Sequence, residues 1–296
     1  MSAPMKKRDA TPGVSPRSRI DSHQHFWLAD GFDYPWMDRN NPVLFRDYLP
    51  QDLAPALERH RIDLTVAVQA SPSLEETEFL LTLAQEHSFI AGVVGWLDLE
   101  SRDFPRQLDT YRKRSGFVGV RPAVEFLEDD RWLLRPRVLD SLKSIADLQV
   151  PLDLIVWPRH LPVVIELLER IPGLRAVVDH LAKPDITDRK LQPWQNHMAE
   201  IACYRGLYCK LSGMAPHGGP APDLARRAQP FVDHVLGCFG VERVMFGSDW
   251  PICLNGSSYE EAVDLVRTTL ASGWSPSVES AVFGRNAARF YGLEDE

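Results

Sequence analysis

No run of roughly 18 apolar residues occurs anywhere in this 296-residue chain, so no membrane-spanning helix is expected. Cysteine is scarce. The four thiols, Cys203, Cys209, Cys238 and Cys253, lie in the last third and lack C-x-x-C spacing. That excludes a thiolate zinc site and a disulfide framework, and it fits free thiols in a reducing cytoplasm. Positive charge is in deficit, with 33 Lys and Arg against 41 Asp and Glu and a net charge of -8. Nucleic-acid binding wants a basic face, so that class of function drops out. Also missing are the G-x-G-x-x-G turn of nucleotide-binding open sheets and the G-x-S-x-G elbow of serine hydrolases.

No internal repeat or Gly/Ser linker interrupts the chain after about residue 18, and 44% of residues are hydrophobic. One large domain over residues 19–296 follows. The first 18 residues, MSAPMKKRDATPGVSPRS, are polar and hold three prolines but no apolar h-region. They read as a disordered tail rather than a secretory signal, and a cytoplasmic location is expected.

Short β-branched runs bounded by turn residues mark eight strands. They are RIDSHQH (19–25), LTVAVQA (64–70), FIAGVVGWLDL (89–99), FVGVRP (117–122), PLDLIVW (151–157), RAVVDHL (175–181), LYCKLSG (207–213) and RVMFGSDWP (243–251). Helically spaced segments separate them, among them LEETEFLLTLAQEHS (74–88), RVLDSLKSIADLQ (137–149) and LPVVIELLERI (161–171). Strands alternating with helices imply right-handed crossovers and parallel pairing. Eight units in this length predict a (β/α)8 TIM barrel over a doubly wound sheet.

A barrel of this kind carries its site at the C-terminal ends of the strands. The candidates there are His23 and His25 after strand 1, Arg121 after strand 4, and Trp157, Arg159 and His160 after strand 5. His180 and Lys183 follow strand 6, Lys210 and Ser212 lie on strand 7, and Asp249 and Trp250 follow strand 8. Buried ionisable groups cost free energy unless paired or bound to a metal, so their convergence points to a site. Residues i and i+2 of a strand share a face, which places His23 and His25 about 6.5–7 Å apart along it. That spacing suits two imidazoles on one cation, and it equally suits two hydrogen-bonded histidines finishing a strand. Strands 1 and 8 become neighbours when a barrel closes, which would bring Asp249 to the pair. Asp249 could otherwise cap a turn, and His180 could be a satisfied core histidine. Trp27, Tyr34, Trp36 and Trp250 are placed near the mouth, where aromatic faces suit sugar C–H surfaces and barrel-rim packing alike.

Taken together, H-x-H on strand 1, "VVDHLAKPD", "CKLSG" and "MFGSDWP" resemble the amidohydrolase superfamily. "RIDSHQHFW…YPWM", "DRWLLRP" and "PRHLP" are similar to its branch of sugar-lactone hydrolases, which includes L-fuconolactonase and L-rhamnonolactonase. The resemblance covers residues 19–292. It implies a distorted (β/α)8 barrel and one divalent metal, often zinc, on His23 and His25 with Asp249 as ligand or base. It matches His180 to the family's strand 6 histidine. Some lactone-opening relatives work without a metal. Arg121-Pro122 stands where binuclear relatives place a bridging Lys or Glu, so one metal is the maximum expected. Glu125-Phe126 replaces an expected Gln-Asp, and "MAPHGG" replaces an expected Thr-Glu stretch.

The residues support ester hydrolysis, with Asp249 taking a proton from water and Arg121 and His180 facing the developing charge. The expected substrate is a small aldonolactone of the L-fucono, L-rhamnono or L-galactono type. Trp27, Trp36, Trp157, Arg159, His160, Lys183 and Trp250 would line its pocket. A lactone isomerase or a decarboxylase of a carboxylated substrate is the alternative, and it would need basic residues gripping carboxylates. Arg121, Arg159 and Lys183 are the candidates for that. A silent binding protein on the same scaffold is a third class, opposed by the intact histidines and Asp249.

Overall fold

A computed structural model describes residues 15, 18–215, 223–271 and 274–293. The expected tail falls almost wholly outside these residues, as does the His217-Gly218-Gly219 stretch. Eight strands form one parallel sheet in chain order. They are β1 (Ile20–Gln24), β2 (Leu64–Val68), β3 (Ile90–Gly95), β4 (Phe117–Val120), β5 (Leu152–Leu154), β6 (Ala176–Val178), β7 (Leu207–Leu211) and β8 (Val244–Phe246). Helices α1 (Pro50–His60), α2 (Leu74–Glu86), α3 (Phe104–Tyr111), α4 (Pro136–Asp147), α5 (Leu161–Arg170), α6 (Trp194–Ala202) and α7 (Leu224–Phe239) fill the crossovers. After β8 come α8 (Tyr259–Leu270), α9 (Pro276–Ser280) and α10 (Asn286–Tyr291). The seam between β1 and β8 is closed by backbone bonds from Asp249 N to His23 O (2.8 Å) and from His25 N to Trp250 O (2.7 Å). This is a single-domain (β/α)8 barrel.

Local chemistry explains the elements. Strands covered on both faces need no polar alternation, and β2, β5, β6 and β8 are buried throughout. Proline opens α1, α4 and α5, where its missing N–H is harmless. Ser73 caps α2 by accepting from Glu76 N, and Ser258 and Glu261 form a reciprocal cap on α8. Most of the core lies between strands and helices. A smaller cluster of Ile20, Leu64, Val66, Val177 and Met245 is covered by Phe290 and Tyr291 of α10.

The later strands are shorter than their sequence runs. The runs 151–157, 175–181 and 243–251 contribute only Leu152–Leu154, Ala176–Val178 and Val244–Phe246 to the ladder. Past the ladder, Trp157, His180 and Asp249 of these runs turn side chains to the site cavity, while Val156 and Leu181 stay in the core. After β6 the chain enters a left-handed turn, with φ of 53°, 54°, 58° and 51° at His180, Leu181, Ala182 and Lys183. After β8, Asp249 has φ of 58°.

Among the described residues no helix is long and apolar enough to cross a membrane.

Candidate active site

The strand ends bring together His23, His25, His180 and Asp249. His23 Nε2 lies 3.2 Å from His25 Nε2 and 3.8 Å from Asp249 Oδ1. His25 Nε2 is 3.4 Å and His180 Nε2 is 3.8 Å from the same oxygen. All four residues are buried. Second contacts orient them. His25 Nδ1 donates to Val68 O at 2.8 Å, which leaves Nε2 a lone pair turned inward. His180 Nδ1 meets Ser212 Oγ at 2.8 Å. Two glycines make room. A Cβ on Gly213 (φ +57°) would lie 2.7 Å from His180 Nδ1, and one on Gly247 would lie 2.6 Å from His23 Cβ.

A left-handed turn of four non-glycine residues costs roughly 1–2 kcal/mol per residue. Trp194 Nε1 donates to Leu181 O at 2.6 Å, and Lys183 N donates to His180 O at 2.7 Å, which helps hold it. Strain kept by its surroundings is a mark of functional positions. Here the turn delivers His180 to Asp249 and Lys183 to the cavity wall.

Behind the histidines sits a buried ionic network. Lys210 Nζ is 2.5 Å from Asp153 Oδ2, 3.1 Å from Asp179 Oδ1 and 3.0 Å from His23 Nδ1. Arg121 contacts Asp179 Oδ2 at 3.3 Å and donates to the Gln69 carbonyl. Tyr291 from α10 donates to Asp153 at 2.9 Å. The burial of Asp179 works to raise its carboxyl, yet Lys210, His23 and Arg121 hold it well below the ordinary range. Asp153, raised first by burial and also by Asp179, reaches about 6. Burial lowers His180 to about 4, so it is neutral at pH 7. Burial alone would raise Asp249, but the surrounding histidines, His180 foremost, hold it below the ordinary range as a carboxylate.

The site opens onto a cavity of about 780 Å³. His25, His180, Asp249, Arg121, Trp36, Trp157 and Lys183 lie on its wall, with Glu125 and Phe126 beside them. The other expected pocket residues lie elsewhere among the described residues. Trp27 is fully buried, its indole N–H donating to Arg46 O at 2.8 Å. Trp250 packs edge-on against Phe26 and Tyr48. Arg159 and His160 both turn to Asp130, each at 2.9 Å. Arg159 Nε and His160 Nε2 help seat the turn after β5 in this way, and neither residue is on the cavity wall. Asp153 has no expected role in the sequence, whereas Asp179 stands beside His180 at the end of strand 6 and Glu125 in a loop expected to face the substrate. A lone charge inside a buried strand, as in "PLDLIVW" and "LYCKL", is the signal that marks Asp153 and Lys210.

The donor set can hold a cation. One nitrogen from each of His23 and His25 and one oxygen of Asp249 lie within 4.8 Å of one another, and His23, Asp179 and His180 form a second such group. Two nitrogens on one tetrahedral zinc at about 2.0–2.1 Å would be about 3.3 Å apart, close to the spacing of the His23–His25 pair.

An eight-stranded parallel barrel with imidazoles and a carboxylate at its strand ends is the architecture of a metal-capable hydrolytic enzyme. A family profile described as amidohydrolase matches residues 20–293, and the chain belongs to that family. It is 38% identical to an L-fucono-1,5-lactonase of Burkholderia ambifaria, over 93% of this chain and 96% of that one. It is 37% identical to an L-fucono-1,5-lactonase of Burkholderia multivorans, over 94% and 97%. A crystal structure of an amidohydrolase from Burkholderia multivorans with bound zinc superposes with a TM-score of 0.88 at 34% identity, covering 93% of this chain and 99% of that one.

Proposed function

We propose that this protein hydrolyses a sugar-derived lactone to the open-chain acid, using the cluster of His23, His25, His180 and Asp249. Similarity to two L-fucono-1,5-lactonases over nearly the whole chain supports lactone opening. L-fucono-, L-rhamnono- and L-galactono-lactone are the first substrates to try. The observation that carries this reading against decarboxylation is the state of the cationic side chains. Of the three basic residues that could grip a carboxylate, Arg121 is paired with Asp179, Lys183 with Glu125 and Arg159 with Asp130. The cavity wall carries Asp38, Glu125, Asp185 and Asp249 against Arg121, Lys183 and Arg227, the last donating to the Thr187 carbonyl at 2.8 Å, so acidic side chains outnumber basic ones there. A neutral polyol ring fits such a wall.

In the proposed reaction Asp249 accepts a proton from water as its oxygen attacks the lactone carbonyl. Arg121 and neutral His180 face the developing oxyanion. The ring C–O bond then breaks, and the proton on Asp249 passes to the departing alkoxide, giving one hydroxy acid per water consumed. A divalent cation on His23, His25 and Asp249, zinc first among the candidates, would lower the pKa of water and polarise the carbonyl. That contribution matters because a carboxylate held as low as Asp249 is a weak base on its own.

Each turnover releases an acid, so a pH-indicator screen over neutral aldonolactones tests the reading. Turnover well above the spontaneous rate, reduced by a chelator and restored by a divalent ion, is expected. Consumption of a benzoate or pyrone carboxylate with no lactone opened would replace it.

A further inference from the structure

The cavity wall contains a second polar feature, separate from the histidine cluster. Lys183 leaves the left-handed turn after β6 with its Nζ 4.9 Å above the ring of Trp157. Unpaired, an ammonium on an aromatic floor inside a cavity would be a hook for anions. Glu125 occupies it. This residue sits in a single 3-10 turn after β4, Val124–Phe126, and its Oε2 is bonded to Lys183 Nζ. The Glu125 side chain is only 6% exposed and that of Lys183 22%, so the pair is largely shielded from water, where a charge contact counts for more than at the surface.

Resting on the lactonase reading above, we infer that Glu125 sets the charge of the accepted substrate. By neutralising Lys183 it leaves this part of the wall to hydroxyl groups, which can both donate to its carboxylate and lie over Trp157. A lactone bearing a free carboxylate meets the Glu125 charge and finds no unpaired ammonium to answer it. Glu125 is thus a specificity residue remote from the bond being broken. It works as much by refusing one class as by favouring the other.

The test is Glu125→Gln, which keeps the shape and removes the charge, alone and combined with Lys183→Met. Initial rates are measured on galactonolactone, which is neutral, and on glucarolactone, which carries a free carboxylate. In E125Q the ratio of kcat/KM for glucarolactone over galactonolactone should rise about tenfold or more, roughly what one close charge pair contributes. The gain should appear in KM and disappear in the double variant. An unchanged ratio, or a gain that survives Lys183→Met, overturns the inference and leaves lactone hydrolysis standing. If the wild type opens neither lactone, the lactonase reading fails instead, and calorimetric titration with galactarate decides the charge rule. Tighter galactarate binding to E125Q than to wild type, lost in the double variant, supports it, and equal binding refutes it.

Discussion

Lys210 is the fully buried cation on which the ionic network converges, and Lys210→Met removes its charge while keeping most of its volume. At 2.5 Å and 3.1 Å from two carboxylates, its gross Coulomb attraction is on the order of 6 kcal/mol to each at an effective dielectric near 20. Desolvation offsets most of that in the native protein. Deleting one partner of a buried pair nevertheless typically costs about 3–5 kcal/mol, because the other charge stays buried and unanswered. The loss should depend on pH. Without Lys210 the carboxyls of Asp153 and Asp179 titrate higher in the folded state. Stability is then retained while they stay protonated and is lost as pH rises through their new folded values. Urea unfolding of variant and wild type at pH 5.5, 7 and 8.5 should show a deficit that widens with pH. Adding Asp153→Asn should recover part of it. A deficit below about 1 kcal/mol at every pH would refute the argument that this lysine holds the carboxylates together.

Gly213→Ala places a methyl group against His180 and forces a left-handed φ on alanine, so a loss of about 1–3 kcal/mol in stability is expected with a kcat reduced at least about tenfold, read by melting and steady-state kinetics. Wild-type turnover in this variant would show that the seat of His180 is unimportant. Glu76 bridges Ala70 N and Ser71 N from a buried position, and burial raises it from 4.5 to about 8. Its contribution to stability is therefore present below about pH 4.5 and lost as pH climbs to 8, by up to about 5 kcal/mol. Glu76→Gln should match the wild type in denaturation midpoint near pH 5 and exceed it near pH 8.5; a constant difference between the two pH values would contradict this.

Barrel, strand order and the convergence of His23, His25, His180 and Asp249 were legible because each rests on a local signal: apolar runs, i/i+2 spacing, and adjacency of the first and last strands. The pocket wall was harder. Trp27 and Trp250 carry the same residue type as Trp36 and Trp157, yet only the latter two reach the cavity, since position after a strand does not tell which way a loop turns. Arg159 and His160 likewise follow a strand end but are claimed by Asp130 from a neighbouring loop, a pairing no periodicity records. The Lys183–Glu125 pair joins residues 58 apart in sequence and depends on four left-handed residues in a row, which the text "DHLAK" does not announce.

The central claim is that lactone opening runs through Asp249. Its most direct test compares kcat of wild type and Asp249→Asn on the best neutral aldonolactone, with bound metal and melting temperature measured on both proteins. A fall of roughly 10²–10⁴ with the fold retained is the predicted result, the range for losing a general base. Turnover within a few-fold of wild type would remove Asp249 from the reaction and with it this account of the site.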